Sequence, residues 1–467
     1  MNLTRYFFVL AVLLGITLGG CATVLPEKSL PDRLEYTETI KNQYHADHQW
    51  WKGYNDPKLN RLVELALANN IEFAQTALTL KTAMYQAKLS QLDLFPTLSG
   101  SAGAATGRNL YENDSFSQTF SGELGLSYEA DVWGKIRDLA DAALLEYQAT
   151  ALDRETVRLA LVNSVVDVYY NLAYLDGAIA ATLKNLENYK EMAAIIHVQY
   201  ANGKTDVIES LQISQSILST ENSLITYRTQ MKENEQTLRN LLNLKPSDSL
   251  DEVWPDLMTV TSLDVDLDVP MAVLAERPDL KASETRLQKA FKNFSAEQKS
   301  WYPSVSLGGY LRSSADKFGD TLEFPLLGGS LSVNLPFLSW NTVKTRVNIS
   351  KTEYESALLD FESAITTALN EVAYYYDAYL GSKQTASNTR EKYAADTKVR
   401  DWYDIRYKSG RVELKDLLES INTVNSSWMD MLSIRYQCIR YENMIYKAMA
   451  GRYEAVEDDS TAMFSVE

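Results

Sequence analysis

Few side chains of this chain are placed to do covalent or proton-transfer chemistry. Among 467 residues there are three histidines, and His45 and His48 share a HADH spacing that reads as surface polarity rather than as a pair of metal ligands. His197 stands far from both. No nucleophile motif, phosphate-binding loop or four-ligand metal pattern is present. Catalysis is not expected, and neither is a cofactor or a metal. The acids that draw notice are Asp416 and Glu419, three residues apart in ELKDLLES. On a lone helix such a pair ordinarily faces water. Three copies of each around a narrow axis would instead focus negative potential and draw cations.

The elements that must position these acids are spelled twice. YKSGRVELKDLLE, residues 407–419, repeats YANGKTDVIESLQ, residues 200–212, so Tyr200 pairs with Tyr407, Gly203 with Gly410 and Leu211 with Leu418. The same offset of 207 pairs Pro96 with Pro303, Leu124 with Leu331, Trp133 with Trp340, and Asn163 with Asn370. A register without gaps through loops as well as helices marks a duplication. The expected units are 60–244 and 267–451, with hairpin tips near 200–206 and 407–413. A segment rich in Asp, Ser and Pro, 245–266, reads as a surface linker, and the tail 452–467 reads the same way.

Residues 1–20 carry one basic residue, Arg5, and then an apolar run suited to a signal peptide and too short for an ordinary spanning helix. The run closes in LGGC, which is similar to a bacterial lipobox, so Cys21 is the expected lipidation site, at the head of a lipidated segment 21–59. Several acyl chains would hold such a chain stably on a membrane. Ala22, in place of an aspartate, favours the outer membrane. With Cys21 acylated, only Cys438 remains, so no intrachain disulfide is available. Cys438 reads as a small packing residue. The formal net charge of −17 falls to −18 when Arg5 leaves with the leader, which argues against nucleic acid as a partner.

No later segment holds the ~20 apolar residues of a membrane helix, so any span must be made of strands. Four are expected, at about 97–107, 118–130, 303–313 and 328–338. Leu331, Val333, Leu335 and Phe337 alternate with Ser330, Ser332 and Asn334, and Phe120, Leu124, Leu126 and Tyr128 alternate with Ser121, Glu123 and Ser127. Each strand is about ten residues long, enough to cross a bilayer when tilted. Phe95, Trp133, Trp301, Tyr302 and Trp340 gather at one end, and Tyr111, Phe116, Phe318 and Phe324 at the other, as interfacial girdles do. Alternation alone fits a soluble sheet packed on helices; the exported N-terminus favours lipid. Four strands cannot close a barrel, and open edges cannot remain in hydrocarbon. Three copies would supply twelve strands around a watery bore.

From about Trp133 to Tyr200, and from Trp340 to Lys408, no proline interrupts the helix-favouring sequence. About 65 residues of helix span roughly 100 Å. Val162, Val166, Tyr169 and Ala173 keep the spacing of a coiled-coil seam. Gly203 and Gly410 would end each rod in a left-handed residue before an antiparallel return, on which Leu414, Leu417, Leu418 and Ile421 form one apolar face.

With the LGGC box, the stretch WWKGYNDPKLNRLVELAL from Trp50, the RPDL motif at Arg277–Leu280, the two tips and the duplication, the chain resembles the TolC-like outer-membrane efflux factors, in particular the lipidated OprM/NodT branch. The resemblance spans nearly all of the mature chain. It implies a mainly α fold of two tandem repeats, each with two shorter helices, a β-hairpin and a long antiparallel coiled coil, assembled as a homotrimer with a twelve-stranded β-barrel and an α-helical tunnel. It further implies a periplasmic gate made of acidic rings at Asp416 and Glu419 and a polar tie from Tyr407, with Glu209 in the first copy. Gln212 stands where a second acid of that copy is expected. Val412 stands where an arginine is expected, with Arg411 beside it.

A passive duct has no energy source of its own, since the chain lacks a P-loop and membrane helices. The resemblance therefore implies an inner-membrane pump, of the RND type in the first instance, and a periplasmic adaptor docking about Tyr200, Gly203, Gly410 and Arg411. The expected function is the outer-membrane exit duct of a tripartite efflux pump. The rival readings are a static envelope rod, the outer-membrane part of a type I protein secretion system and, more remotely, a general porin.

Overall fold

The computed structural model describes residues 44–108, 116–250, 253–266, 269–323 and 326–455. The leader 1–20, Cys21, Tyr111, Phe324 and the tail beyond 455 lie outside the described residues.

Asp56 starts the first helix, α1 (Pro57–Asn69), by accepting the backbone N–H groups of Lys58 and Leu59. A proline at the first helical position leaves no amide unpaired. Asn70 then caps α2 (Ile71–Leu92) through the N–H of Phe73 at 2.9 Å. A hairpin follows, β2 (Thr97–Arg108) and β3 (Phe116–Ala130), numbered after a short N-terminal strand β1 (Tyr44–Asp47). The long helix α3 (Lys135–Ala201) runs 67 residues, about 100 Å, and α4 (Val207–Leu241) returns along part of it.

The second half repeats this with α5 (Pro278–Lys299), β4 (Ser304–Ala315), β5 (Leu326–Asn334), α6 (Trp340–Lys408) and α7 (Leu414–Ala448). The offset of 207 holds to the residue at both ends of α2 and α5, of β2 and β4, and of α4 and α7. The start of α6 lies two residues ahead of the counterpart of Lys135, and two further elements depart more strongly. The strand expected to run to 338 stops at Asn334, because Pro336 lacks an amide donor and opens a 3-10 turn, Pro336–Ser339. The counterpart of α1 is reduced to a 3-10 turn, Met271–Glu276, behind Pro270.

The four long strands form one antiparallel sheet in the order β2-β3-β4-β5. Its register sets Leu124 opposite Leu311 and Leu311 opposite Leu327, with Tyr128, Leu307 and Leu331 in a second row of the same face. The other face carries Ser101, Glu123 and Arg312 in one row, and Glu123 pairs with Arg312 at 2.7 Å. Leu98, Leu124, Leu126, Leu307, Leu327 and Leu331 are all exposed. Neither edge strand, β2 or β5, has a second strand neighbour among the described residues. Trp133 stacks on Tyr302 at 4.8 Å and donates its indole N–H to the carbonyl of Pro303, and Phe120 meets Phe318 edge-on at the far end. No described helix is long and apolar enough to cross a membrane.

The largest core gathers where the two halves meet. Val162, Val165, Val166, Tyr169 and Ala173 of α3 pack with Trp50, Leu59, Val63, Leu238 and Ile439. The segment expected to be a surface linker is part of this core, since Trp254, Leu257 and Leu263 are buried in it. The tail likewise departs from expectation: β6 (Arg452–Ala455) pairs antiparallel with β1, and Tyr453 is buried. In both cases a few large apolar side chains outweigh polar neighbours. Cys438 is buried in the packing of α7.

Beside the sheet, α5 lies between α3 and α6, and its basic side chains meet acids of α3. Lys292 pairs with Asp141 at 2.9 Å, Lys289 with Glu146 at 2.8 Å, Arg286 with Asp153, and Lys299 with Asp138. Burial alone would raise the Asp138 carboxyl, but hydrogen bonds from Lys299 and Ser295 and the charges of Lys299 and Lys292 hold it below its usual range.

Candidate functional site

Two helical hairpin tips hold the residues singled out in the sequence. At the first, Gly203 has φ +66°, and the N–H of Lys204 reaches back to the carbonyl of Gln199 at 2.8 Å. At the second, Gly410 has φ +69°, and the N–H of Arg411 reaches the carbonyl of Arg406 at 2.9 Å. These bonds, with the left-handed glycine, close each rod as a Schellman motif. Open space surrounds both glycines, so conformation rather than crowding selects them. Asp206 caps α4 through the N–H of Val207; Glu413 precedes α7 without such a bond.

Beneath the tips a small core of Tyr189, Ile196, Ile213, Leu414 and Leu418 binds α3, α4 and α7 together, with Tyr407 and Ile421 against it. Tyr407 is half-buried; burial, and then the nearby charge of Glu209, raise its hydroxyl above the usual tyrosine range. Tyr407 of one coil and Glu209 of the other are therefore within electrostatic reach. Glu209 also accepts the hydroxyl of Thr205. Gln212 and Glu419 line one groove between α4 and α7, about 650 Å³ in volume, with Gln215, Ser216, Lys415 and Asn422. Asp416 is half-buried in the first turn of α7 and lies outside that lining. Tyr200 and Arg411 are exposed and are not drawn into the cluster, and Val412 is half-buried.

The tips thus present a polar groove between two return helices at the end of helices about 100 Å long. A family model for outer membrane efflux proteins matches residues 62–244 and 269–451, one match to each repeat. The chain belongs to the outer membrane efflux protein family. This efflux protein is 40% identical over 446 residues to the toxin and drug export protein A of Aggregatibacter actinomycetemcomitans, covering 95% of this chain and 97% of that one. Its fold is similar to the outer-membrane channel OprN, with TM-score 0.82 and 22% identity, covering 92% of this chain and 99% of the other. It is also similar to the Campylobacter jejuni CmeC outer membrane channel, with TM-score 0.80 and 22% identity over 94% and 96% of the two chains. The efflux protein is a protein of the outer membrane.

The structure brings out two polar centres of the efflux protein to which the sequence reading assigned no contacts. Arg277, the first residue of RPDL, binds Asp279 and Glu371 and donates to the carbonyl of Ala448 at 3.0 Å. Its counterpart 207 residues earlier, Asn70, donates to the carbonyl of Leu241, the counterpart of Ala448, also at 3.0 Å. One contact is thus kept in both halves by different side chains. The second centre is Glu442, fully buried. It accepts from Tyr379 at 3.2 Å, Tyr54 at 3.4 Å, the N–H of Leu263 at 3.3 Å, and Ser262. Burial pushes its carboxyl up against the opposing effect of those bonds. Glu235, its counterpart, is also buried, and that coincidence at the offset is the one signal that could have flagged the site.

Proposed function

We propose that three copies of this chain form the exit duct of a tripartite efflux pump, carrying small molecules passively from a periplasmic assembly to the exterior. The observation that carries this reading is the four-stranded sheet with one apolar exposed face and two unpaired edges, set on helices of tunnel length. Unpaired amides in hydrocarbon each cost several kcal/mol, so such a sheet needs neighbours. Twelve pooled strands would enclose water. In this arrangement Cys21 carries the lipid anchor, and Asp416 and Glu419, with Glu209 and Tyr407, form the periplasmic constriction. An adaptor protein grips the tips about Tyr200, Gly203, Gly410 and Arg411, and an inner-membrane pump of the RND type supplies the energy.

The purified protein, shown by native mass to be trimeric and reconstituted in planar bilayers, should conduct ions in discrete steps. A static rod would conduct nothing, and that result would end the proposal. The name of the Aggregatibacter relative covers both toxin and drug export, which keeps type I protein secretion as the second reading. Co-purification separates the two, since an RND pump and its adaptor should accompany the chain in the first case and an ABC exporter in the second.

A further inference from the structure

Among the described residues, the polar face of the sheet carries one aromatic side chain, Tyr310, and the strand beside it has a gap where the ring sits. Ser99, Gly125, Tyr310 and Gly328 form a single row across the four strands, on the face of Ser101, Glu123 and Arg312. Tyr310 therefore has a glycine on each side. A Cβ added at Gly328 would lie 2.5 Å from the Tyr310 hydroxyl oxygen and 2.8 Å from its Cε1. The outer end of the ring thus fills the space that any other residue at 328 would take. The Gly328 backbone is not left-handed, so close approach rather than conformation selects the glycine.

Tyr310 is half-buried in this position, while Arg312, two residues on along the same face, is exposed. Arg312 is held to Glu123 through Nε at 2.9 Å and Nη2 at 2.7 Å, and its guanidinium stands 5.5 Å from the centre of the Tyr310 ring. We infer that Gly328 is a slot holding the Tyr310 ring down against the wall of the duct, and that this pair sets the largest cargo the strand region passes. The inference rests on the exit-duct reading, in which the polar face lines the bore.

If the slot is filled, the ring has few other places to lie. On its other side the Ser99 hydroxyl already leans over Gly125, 2.7 Å from where a Cβ would stand. In the next row toward the helices the Ser330 hydroxyl leans in the same way over Gly308. The row toward the hairpin ends is taken by the Glu123–Arg312 pair. A displaced ring jumps to another staggered position, and the direction left open is off the sheet, into the bore. The repeat shows the same matching with the roles exchanged. Through the offset of 207, Tyr310 corresponds to Gly103 and Gly328 to Ser121, which face each other across β2 and β3. There the Ser121 hydroxyl leans over Gly103 and donates to its carbonyl at 3.5 Å. Each pair keeps one glycine beneath its partner's side chain, and only the second repeat lays a ring there.

The test measures passage from outside the cell. Ser332→Cys places a thiol at an exposed position of the polar face, two rows nearer the helices than Tyr310. Intact cells carrying this full-length protein are treated with a small maleimide and with the longest polymer-linked maleimide that still labels it. Gly328→Ala should slow the polymer reagent several-fold and leave the small one unchanged, and adding Tyr310→Ser should restore the rate. Tyr310→Trp, with a ring too large for the slot, should act like Gly328→Ala, so a poorly folding glycine variant does not remove the readout. Gly329→Ala, on the opposite face with room for its methyl, should change neither rate. If the polymer rate is unchanged in Gly328→Ala and Tyr310→Trp proteins that are trimers by native mass, or if Tyr310→Ser fails to restore it, the slot is overturned and the duct stands. If even the small maleimide cannot reach the thiol of Ser332→Cys from outside, both fall.

Discussion

Asn443 and Trp50 are joined by a hydrogen bond of 2.9 Å, the indole N–H donating to the carboxamide oxygen, while the Asn443 amide donates in turn to the backbone of Asn163. Both Asn443 and Trp50 are fully buried, so this one side chain ties the N-terminal turn, the first long helix and the second return helix together. Asn443→Ala leaves the Trp50 N–H and the Asn163 carbonyl without that partner, at about 1–3 kcal/mol for each group stranded. Asn163→Ala removes a bond from the Asn443 carbonyl alone and should cost less. Thermal unfolding of the two variants in detergent orders them; equal losses would contradict the arrangement.

Arg277 and Asn70 make the same contact with unequal support. Arg277→Ala leaves two partly exposed carboxylates and a carbonyl unpaired, about 2–3 kcal/mol after allowing for solvent. Asn70→Ala loses a cap and one carbonyl contact, about 1–2 kcal/mol. Arg277→Lys keeps the charge without the fork and should fall between wild type and Arg277→Ala in denaturant midpoint.

Glu442 predicts an inverted pH dependence. Its carboxyl is raised in the folded state, so its contribution is complete below the ordinary glutamate value of about 4.3 and is lost as pH rises through the folded value. Asp138 and Asp279 are depressed, so theirs is present above about 3.9 and lost as pH falls through their folded values. Unfolding followed across pH should show Glu442→Gln flattening the slope above pH 4 and leaving the acid limb unchanged. A change confined to the acid limb would contradict the assignment.

Asp416→Asn combined with Glu419→Gln should reduce the preference of single channels for cations, read as a shift in reversal potential across a salt gradient. The shift should shrink at high salt, where screening weakens a ring of exposed charge. Unchanged selectivity would remove these residues from the proposed constriction.

Gly203→Val or Gly410→Val forces a β-branched residue into a left-handed conformation, roughly 1–2 kcal/mol at the tip alone. On the proposed docking of an adaptor at the tips, trimers should persist and drug tolerance should fall. Normal tolerance in such mutants would count against docking at the tips.

What the sequence made legible was whatever repeats or alternates. Both tips, both rods and the apolar rows of the sheet follow from spacing that elementary geometry imposes, and the glycines show through a conformation that other residues avoid. Trp254, Leu257 and Leu263 were hidden among Asp, Ser and Pro, whose number suggests a surface segment although three large side chains decide the packing. Pro336 stands in plain view, but the apolar alternation continues past it to Phe337 and masks the end of the strand. Glu442 had no local pattern, since its partners come from three other parts of the chain. At the tips, the proximity of the Glu209 charge to Tyr407 depends on which faces of two coils meet, and spacing along one coil cannot supply that.

The short ribbon of Tyr44–Asp47 with Arg452–Ala455 brings the first and last described strands side by side. Among the described residues, the path between them therefore closes on itself at this ribbon. Contact between the first and last described strands thus holds the two repeats to one another independently of the connection that joins them in sequence.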